Sequence, residues 1–304
     1  MKRIMVTGSN GLLGQKITDL SLIDSEIELI ATSVGLNRHP VKSGYTYEEL
    51  DVLDAIRLDE LVSKYHPNAI IHTAAMTNVD ACELDHEKCY ALNVRSVENL
   101  IKVSQNTDIK LIHLSTDFIF DGEDGPYAED AEPNPLSYYG QTKLESEIIL
   151  QKSSCNWAIL RTIIVYGIVN DMSRTNIVLW AKAALEKGEP INVVNDQWRM
   201  PTLAEDLAQC CLLAVKNDAK GVFNASGKDL MSILEIVERV ADYYGLDKSL
   251  INPISAESLN QAAKRPKKTG FILDKTIKEL GYQPHSFEEG IAFMEKQINA
   301  IKNS

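Results

Sequence analysis

Lys2-Arg3-Ile4-Met5-Val6-Thr7-Gly8-Ser9-Asn10-Gly11-Leu12-Leu13-Gly14 decides the architecture. The apolar run Ile4 to Val6 reads as a short buried strand. It passes directly into a turn spaced G-x-x-G-x-x-G, with a helix expected from Leu12. Glycines at a strand-to-helix turn allow tight dihedrals and close backbone approach, and the free N–H groups of the helix start attract a pyrophosphate. Gly8, Asn10, Gly11, Leu12, Leu13 and Gly14 are therefore candidate cofactor-binding residues.

Working outward, short β-rich runs alternate with amphipathic stretches. Glu28 to Thr32, Ala69 to His72, Lys110 to Ser115 and Trp157 to Ile164 read as strands; Ala55 to Tyr65, Glu87 to Gln105 and Leu136 to Lys152 read as helices. Such alternation implies right-handed βαβ units and an α/β doubly wound parallel sheet. Ligands in these sheets bind at the carboxyl ends of the strands, where Gly8, Ser33, Ala74 and Ser115 to Asp117 fall. After Gly167 the rhythm loosens into helical stretches near Asn176 to Lys187, Ala204 to Val215 and Ile233 to Tyr244, which suits a smaller substrate-binding lobe. The expected division is 1–170 for the cofactor domain and mainly 171–304 for that lobe.

Tyr139-Gly140-Gln141-Thr142-Lys143 supplies the chemistry. Residues at i and i+4 share a helix face, so a phenol stands beside an ammonium. A nearby cation is the simplest way to favour the phenolate of a group that ordinarily titrates near ~10. Pro133 and Pro135 cannot sit inside a helix and mark the loop that precedes it. The pair is the equipment of a carbonyl reducer.

Composition bounds the partners. A formal net charge of -12 argues against nucleic acid or an anionic membrane, since either needs a basic face; Lys264-Arg265-Pro266-Lys267-Lys268 is the one clear basic cluster. The five cysteines, Cys82, Cys89, Cys155, Cys210 and Cys211, show no metal-binding spacing and suit reduced thiols. No apolar run approaches ~20 residues, and the first strand follows Met1 too closely for a signal peptide, so a cytoplasmic protein is expected.

Together with Ala74-Ala75-Met76-Thr77-Asn78-Val79-Asp80, Ser115-Thr116-Asp117-Phe118-Ile119-Phe120-Asp121-Gly122, Leu160-Arg161-Thr162, Tyr166-Gly167, Pro201-Thr202, Glu205-Asp206-Leu207-Ala208, Arg265-Pro266 and Leu273-Asp274, these motifs make the chain resemble the extended short-chain dehydrogenase/reductase family, in its dTDP-4-dehydrorhamnose reductase-like branch. The resemblance implies a Rossmann domain to which the chain returns around 201–223. It implies Tyr139 as proton donor to a carbonyl, Lys143 holding the nicotinamide ribose, and Thr116, backed by Ser115, hydrogen-bonding the carbonyl oxygen. The alternative reading of Ser115 and Thr116 is strand-end capping. Asp51-Val52 resembles the adenine-flanking pair, and Ala74-Ala75 would let the strand pass close to the cofactor. Thr77, Val79, Asp80, Asp117 and Phe118 resemble the sugar-facing side, although Thr77 to Asp80 also forms a turn readily without a ligand. Gln197 to Thr202, with Arg199, and Arg265 would meet a nucleotide-diphosphate sugar from the second lobe, and Trp198 would stack on its base or pack in a hinge.

No carboxylate follows the second strand at Ala31-Thr32-Ser33, and Ser33 with Arg38 suits a 2′-phosphate; NADPH is expected, with NADH as the alternative. Phe118 replaces the glutamate of a dehydratase, which favours simple reduction. Rhamnose-forming members carry a Tyr where this chain has Phe118 and a Trp near Ile163-Ile164, so the sugar pocket is expected to be more apolar. Some members bind Mg²⁺ through an acid where this chain has Gln15-Lys16, so no metal is expected. The leading expectation is reduction of a nucleotide-linked 4-keto-6-deoxy sugar at C4. The alternatives are a nucleotide-sugar epimerase and a non-catalytic NADP-binding regulator resembling the methionine adenosyltransferase β subunit. A homodimer is compatible with any of them.

Overall fold

The computed structural model describes residues 1–169 and 175–302. The expected boundary at 170/171 lies outside the described residues. Seven strands form one sheet, β1 (Lys2–Thr7), β2 (Ile27–Ser33), β3 (Thr46–Glu49), β4 (Ala69–His72), β5 (Lys110–Thr116), β6 (Asn156–Thr162) and β7 (Gly221–Asn224), in the order β7-β6-β5-β4-β1-β2-β3. All neighbours are parallel. The strand order reverses between β1 and β4, which opens a crevice at their carboxyl ends.

Parallel strands are covered on both faces, and their sequences read as continuous apolar runs for that reason. On one face α1 (Leu12–Ile23) and α8 (Ala204–Lys216) close a core containing Ile4, Ile71, Leu207 and Phe223. On the other, α2 (Ala55–Tyr65) and α5 (Ser96–Ser104) bury Met5, Ile70, Leu58 and Val97. A separate core, with Val178, Ile236, Val240 and Met294, joins α7 (Ile177–Glu186), α9 (Ile233–Tyr244) and α11 (Phe287–Lys302). The chain thus leaves the large sheet, builds part of a second core, and comes back through α8 and β7.

Two expectations are corrected. β3 follows β2 as an edge strand; its Thr46-Tyr47-Glu48-Glu49 has no apolar alternation, so only pairing with β2 reveals it. The stretch Glu87 to Gln105 is not one regular helix but α4 (His86–Tyr90), a π-helical turn over Ala91–Arg95, and α5. The wider turn accompanies Asn93, whose buried amide clasps both backbone groups of Met76: Oδ1 accepts the N–H at 2.9 Å and Nδ2 donates to the carbonyl at 3.1 Å. A π turn frequently marks a functional site.

Candidate active site

The glycine turn is built as its residue types require. Gly8 has φ +73, and a Cβ there would lie 2.8 Å from the Ala74 backbone nitrogen, so glycine and the small Ala74 are both consequences of two strand ends meeting. Asn10 is a scaffold for the neighbouring loop. Its Nδ2 donates to Leu36 O at 3.0 Å and its Oδ1 accepts the Arg38 N–H at 2.8 Å, which ties the loop after β2 to the turn. Ser9 Oγ and Ser115 Oγ are buried without hydrogen-bond partners among the described residues. Two orphaned hydroxyls beside an N–H-rich turn suit a polar ligand laid across the strand ends.

A cleft of about 750 Å³ opens there. Gly11, Leu12, Leu13 and Ala75 line it from the turn side, and Thr77, Val79, Ser115, Thr116, Asp117, Phe118, Tyr139 and Lys143 form its central wall. Arg199 and Arg265 reach it from the second lobe. Gly8, Asn10, Gly14 and Ala74 do not line it. Ser33 and the exposed Arg38 lie at the β2 end; exposed Asp51 and buried Val52 follow β3. Trp198 does not line the cleft, whereas Trp180 of α7 does, together with Asn192 and Gln197. Trp180 was legible as a tryptophan left 40% exposed only once α7 was placed.

Helix α6 (Tyr138–Gln151) carries the central pair. Ser137 caps it by accepting the Gly140 N–H at 3.2 Å. A Cβ on Gly140 would come within 2.2 Å of Phe118 O, so the helix starts pressed against the end of β5. Tyr139, Lys143 and Glu147 form one buried stripe. Lys143 Nζ donates to Leu114 O at 2.6 Å and lies 3.3 Å from His113 Nε2. His113 sits beside His72, with ring centroids 5.7 Å apart; burial holds both imidazoles below their ordinary range, His72 at about 3.

The pKa pattern corrects a simple reading of the i, i+4 spacing. Burial pushes the Tyr139 phenol up; the Thr116 hydroxyl pulls it down, and Asp117 pushes it up again. Desolvation outweighs any acidification by Lys143, whose own amine is lowered to about 8 by burial against the opposing pull of Glu147 and Cys89. Between about 8 and the ordinary 10.5, the unfolded chain holds the Lys143 proton and the folded chain does not. This residue's contribution to stability therefore rises with pH through that window. We predict that the melting-temperature advantage of Lys143→Met over wild type is greatest below pH 8 and shrinks toward pH 10.5; a pH-independent difference would contradict it.

The second-lobe cations are already engaged. Arg265 Nη2 meets Asp80 Oδ2 at 2.6 Å, and Asp80 also accepts the Ala263 N–H. Arg199 is 2% exposed and donates to the carbonyls of Trp198, Lys267 and Pro266. The premise about β2 also changes: Glu49 is in register with Ser33, and its carboxylate accepts the Gly35 N–H at 3.0 Å. A carboxylate does stand near Ser33, supplied by the unforeseen edge strand. Phe118 and Ile164 line the cleft, while Ile163 is in the core. Lys16 is paired with Glu205 at 3.1 Å, and among the described residues no cluster of His, Cys, Asp and Glu is placed to hold a metal.

Among the described residues no helix is long and apolar enough to cross a membrane. The chain is 32% identical over 275 residues to methionine adenosyltransferase 2 subunit beta of Xenopus tropicalis, covering 87% of this chain and 78% of that one. It superposes on a dTDP-4-dehydrorhamnose reductase of Clostridium acetobutylicum with a TM-score of 0.85 at 27% identity, over 98% of this chain and 99% of the other. It does so on the Bacillus anthracis dTDP-4-dehydrorhamnose reductase in complex with NADP with a TM-score of 0.82 at 26% identity, over 97% and 99%. Residues 1–299 match the RmlD substrate binding domain. With the reversed strand order, the glycine turn and the Tyr139–Lys143 stripe under one cleft, the chain belongs to the RmlD substrate binding domain family, within the extended short-chain dehydrogenase/reductases.

Proposed function

We propose that this protein is an NADPH-dependent reductase of a nucleotide-linked 4-keto-6-deoxy sugar, with dTDP-4-dehydrorhamnose as the first substrate to test. The observation that carries the reading is the convergence of Thr116, Tyr139 and Lys143 on the wall of one cleft that continues from the glycine turn into the second lobe. The nicotinamide cofactor supplies hydride when bound. Tyr139 would give its phenolic proton to the carbonyl oxygen, Lys143 would hold the ribose, and Phe118 and Ile164 would limit water around the sugar. Support comes from the two reductases it superposes on, one of them an NADP complex.

Oxidation of NADPH with dTDP-4-dehydrorhamnose, and none without it, is the test. NADPH binding without turnover on any nucleotide keto-sugar would favour the second reading, a regulatory subunit. That reading draws on the likeness to methionine adenosyltransferase 2 subunit beta, and on Arg199 and Arg265 being already bonded within the protein.

Cofactor choice would rest on Ser33 and Arg38 against Glu49. Arg38 is exposed and makes no ion pair among the described residues, which leaves its guanidinium available to a 2′-phosphate. Arg38→Ala is expected to weaken NADPH binding about tenfold while changing NADH binding less than twofold, as read by fluorescence titration. Equal losses for both cofactors would remove Arg38 from this role.

A further inference from the structure

We propose that Asp117 is a positioning residue for the reduction: its carboxylate fixes the Thr116 hydroxyl and, through Thr269 and Arg199, makes that orientation depend on the seating of the second lobe. Asp117 is 1% exposed and lies at the cleft immediately after β5. Thr116 Oγ1 donates to its Oδ1 at 3.1 Å, Thr269 Oγ1 donates to its Oδ2, and Arg199 Nε stands 3.5 Å from Oδ2. Every group that meets the carboxylate is a donor, and one is a guanidinium; they oppose the burial that pushes the Asp117 carboxyl up, and Asp117 acts as their acceptor.

The consequence falls on Thr116. Its single hydroxyl proton is committed to Asp117, and its oxygen also accepts the Phe118 N–H at 3.2 Å. Thr116 also hydrogen-bonds the neighbouring Tyr139 phenol, so the carboxylate that holds Thr116 fixes the group beside the phenolic O–H; donation from Thr116 to Tyr139 or to a substrate oxygen requires release from Asp117. The same carboxylate is held from far along the chain. Arg199 is stacked over Phe118, with its guanidinium carbon 5.7 Å from the ring centroid, and its other N–H groups staple the carbonyls of Trp198, Pro266 and Lys267. Thr269 is fully buried and closes the loop that follows. Displacing either second-lobe segment therefore withdraws a donor from Asp117 Oδ2 and loosens the carboxylate that orients Thr116.

Thr116 and Thr269 both bond Asp117, from opposite sides, which permits a test independent of activity. Melting temperatures are measured for Thr116→Val, Thr269→Val and the pair, in wild type and in an Asp117→Asn background. The expected result is a double-variant loss several degrees away from the sum of the single losses in wild type, on the order of the coupling seen within one hydrogen-bond network, and additivity once Asp117 is replaced. Additive losses in wild type overturn the proposal. The kinetic readout rests on the reductase reading. There Asp117→Asn is expected to lower kcat about 100-fold, and Thr269→Val about tenfold, with NADPH affinity within twofold. Thr269→Val at wild-type kcat overturns the proposal even where Asp117→Asn fails to fold. Absence of wild-type turnover removes the reductase reading, and the melting cycle then decides the coupling alone.

Discussion

Tyr139→Phe is expected to lower kcat for keto-sugar reduction by roughly 10²–10⁴-fold, the usual range for loss of a positioned acid, while leaving NADPH affinity within about twofold. Phenylalanine retains the ring, which is 8% exposed and packs edge-on to Phe118 at 5.8 Å, so the cleft keeps its shape and only the proton is removed. The split between kcat and binding is the informative quantity. A variant that loses cofactor affinity in proportion to kcat would assign Tyr139 a structural role. Stopped-flow reduction by pre-bound NADPH, compared with equilibrium titration, separates the two.

Glu147→Ala is expected to destabilise the fold by about 3–5 kcal/mol, because it leaves a buried guanidinium without its counter-ion. Glu147 is fully buried and receives Arg161 bidentately, with Nη2 at 2.7 Å from Oε2 and Nε at 3.0 Å from Oε1. Arg161 Nη1 donates to the Glu129 carbonyl at 2.9 Å, and the guanidinium lies over the Phe120 ring. The pair bolts α6 to β6 two turns beyond Tyr139, so catalysis should decline with stability. Replacing both partners by methionine should recover most of the loss, since a well-packed apolar pair avoids desolvating two charges. Chemical denaturation of the two singles and the double measures this directly; equal instability of the double variant would show that volume, rather than the unpaired charge, sets the cost.

These two outcomes depend on different kinds of information in the chain. That α6 would present Tyr139, Lys143 and Glu147 on one face follows from helical period alone, and the glycine turn, the parallel sheet and the strand-end placement of Ser115 and Thr116 follow from local pattern. Those features depend on residues close in sequence. The partner of Glu147 comes from a separate strand, Asp117 answers to Thr269, and Asp80 holds Arg265 across 185 positions. Pairings of this kind are set by how the second lobe folds back on the first, which leaves no periodic trace.

The readings that changed have the same cause. Arg199 and Arg265 line the cleft, but carbonyls and a carboxylate of other segments also engage both, which arginine type and order in the chain do not reveal. Asn93 is set against Met76 by the π turn, which the amphipathic stretch Glu87 to Gln105 does not announce. Glu49 appears beside Ser33 only because an edge strand of polar sequence completes the sheet. The sequence by itself determined the parallel sheet, the glycine turn and the shared face of Tyr139 and Lys143 on α6, since each is written in spacing over a few residues. Tertiary structure alone decided the protonation tendencies and which charges remain available, because desolvation and ion pairing depend on every segment that closes around a group.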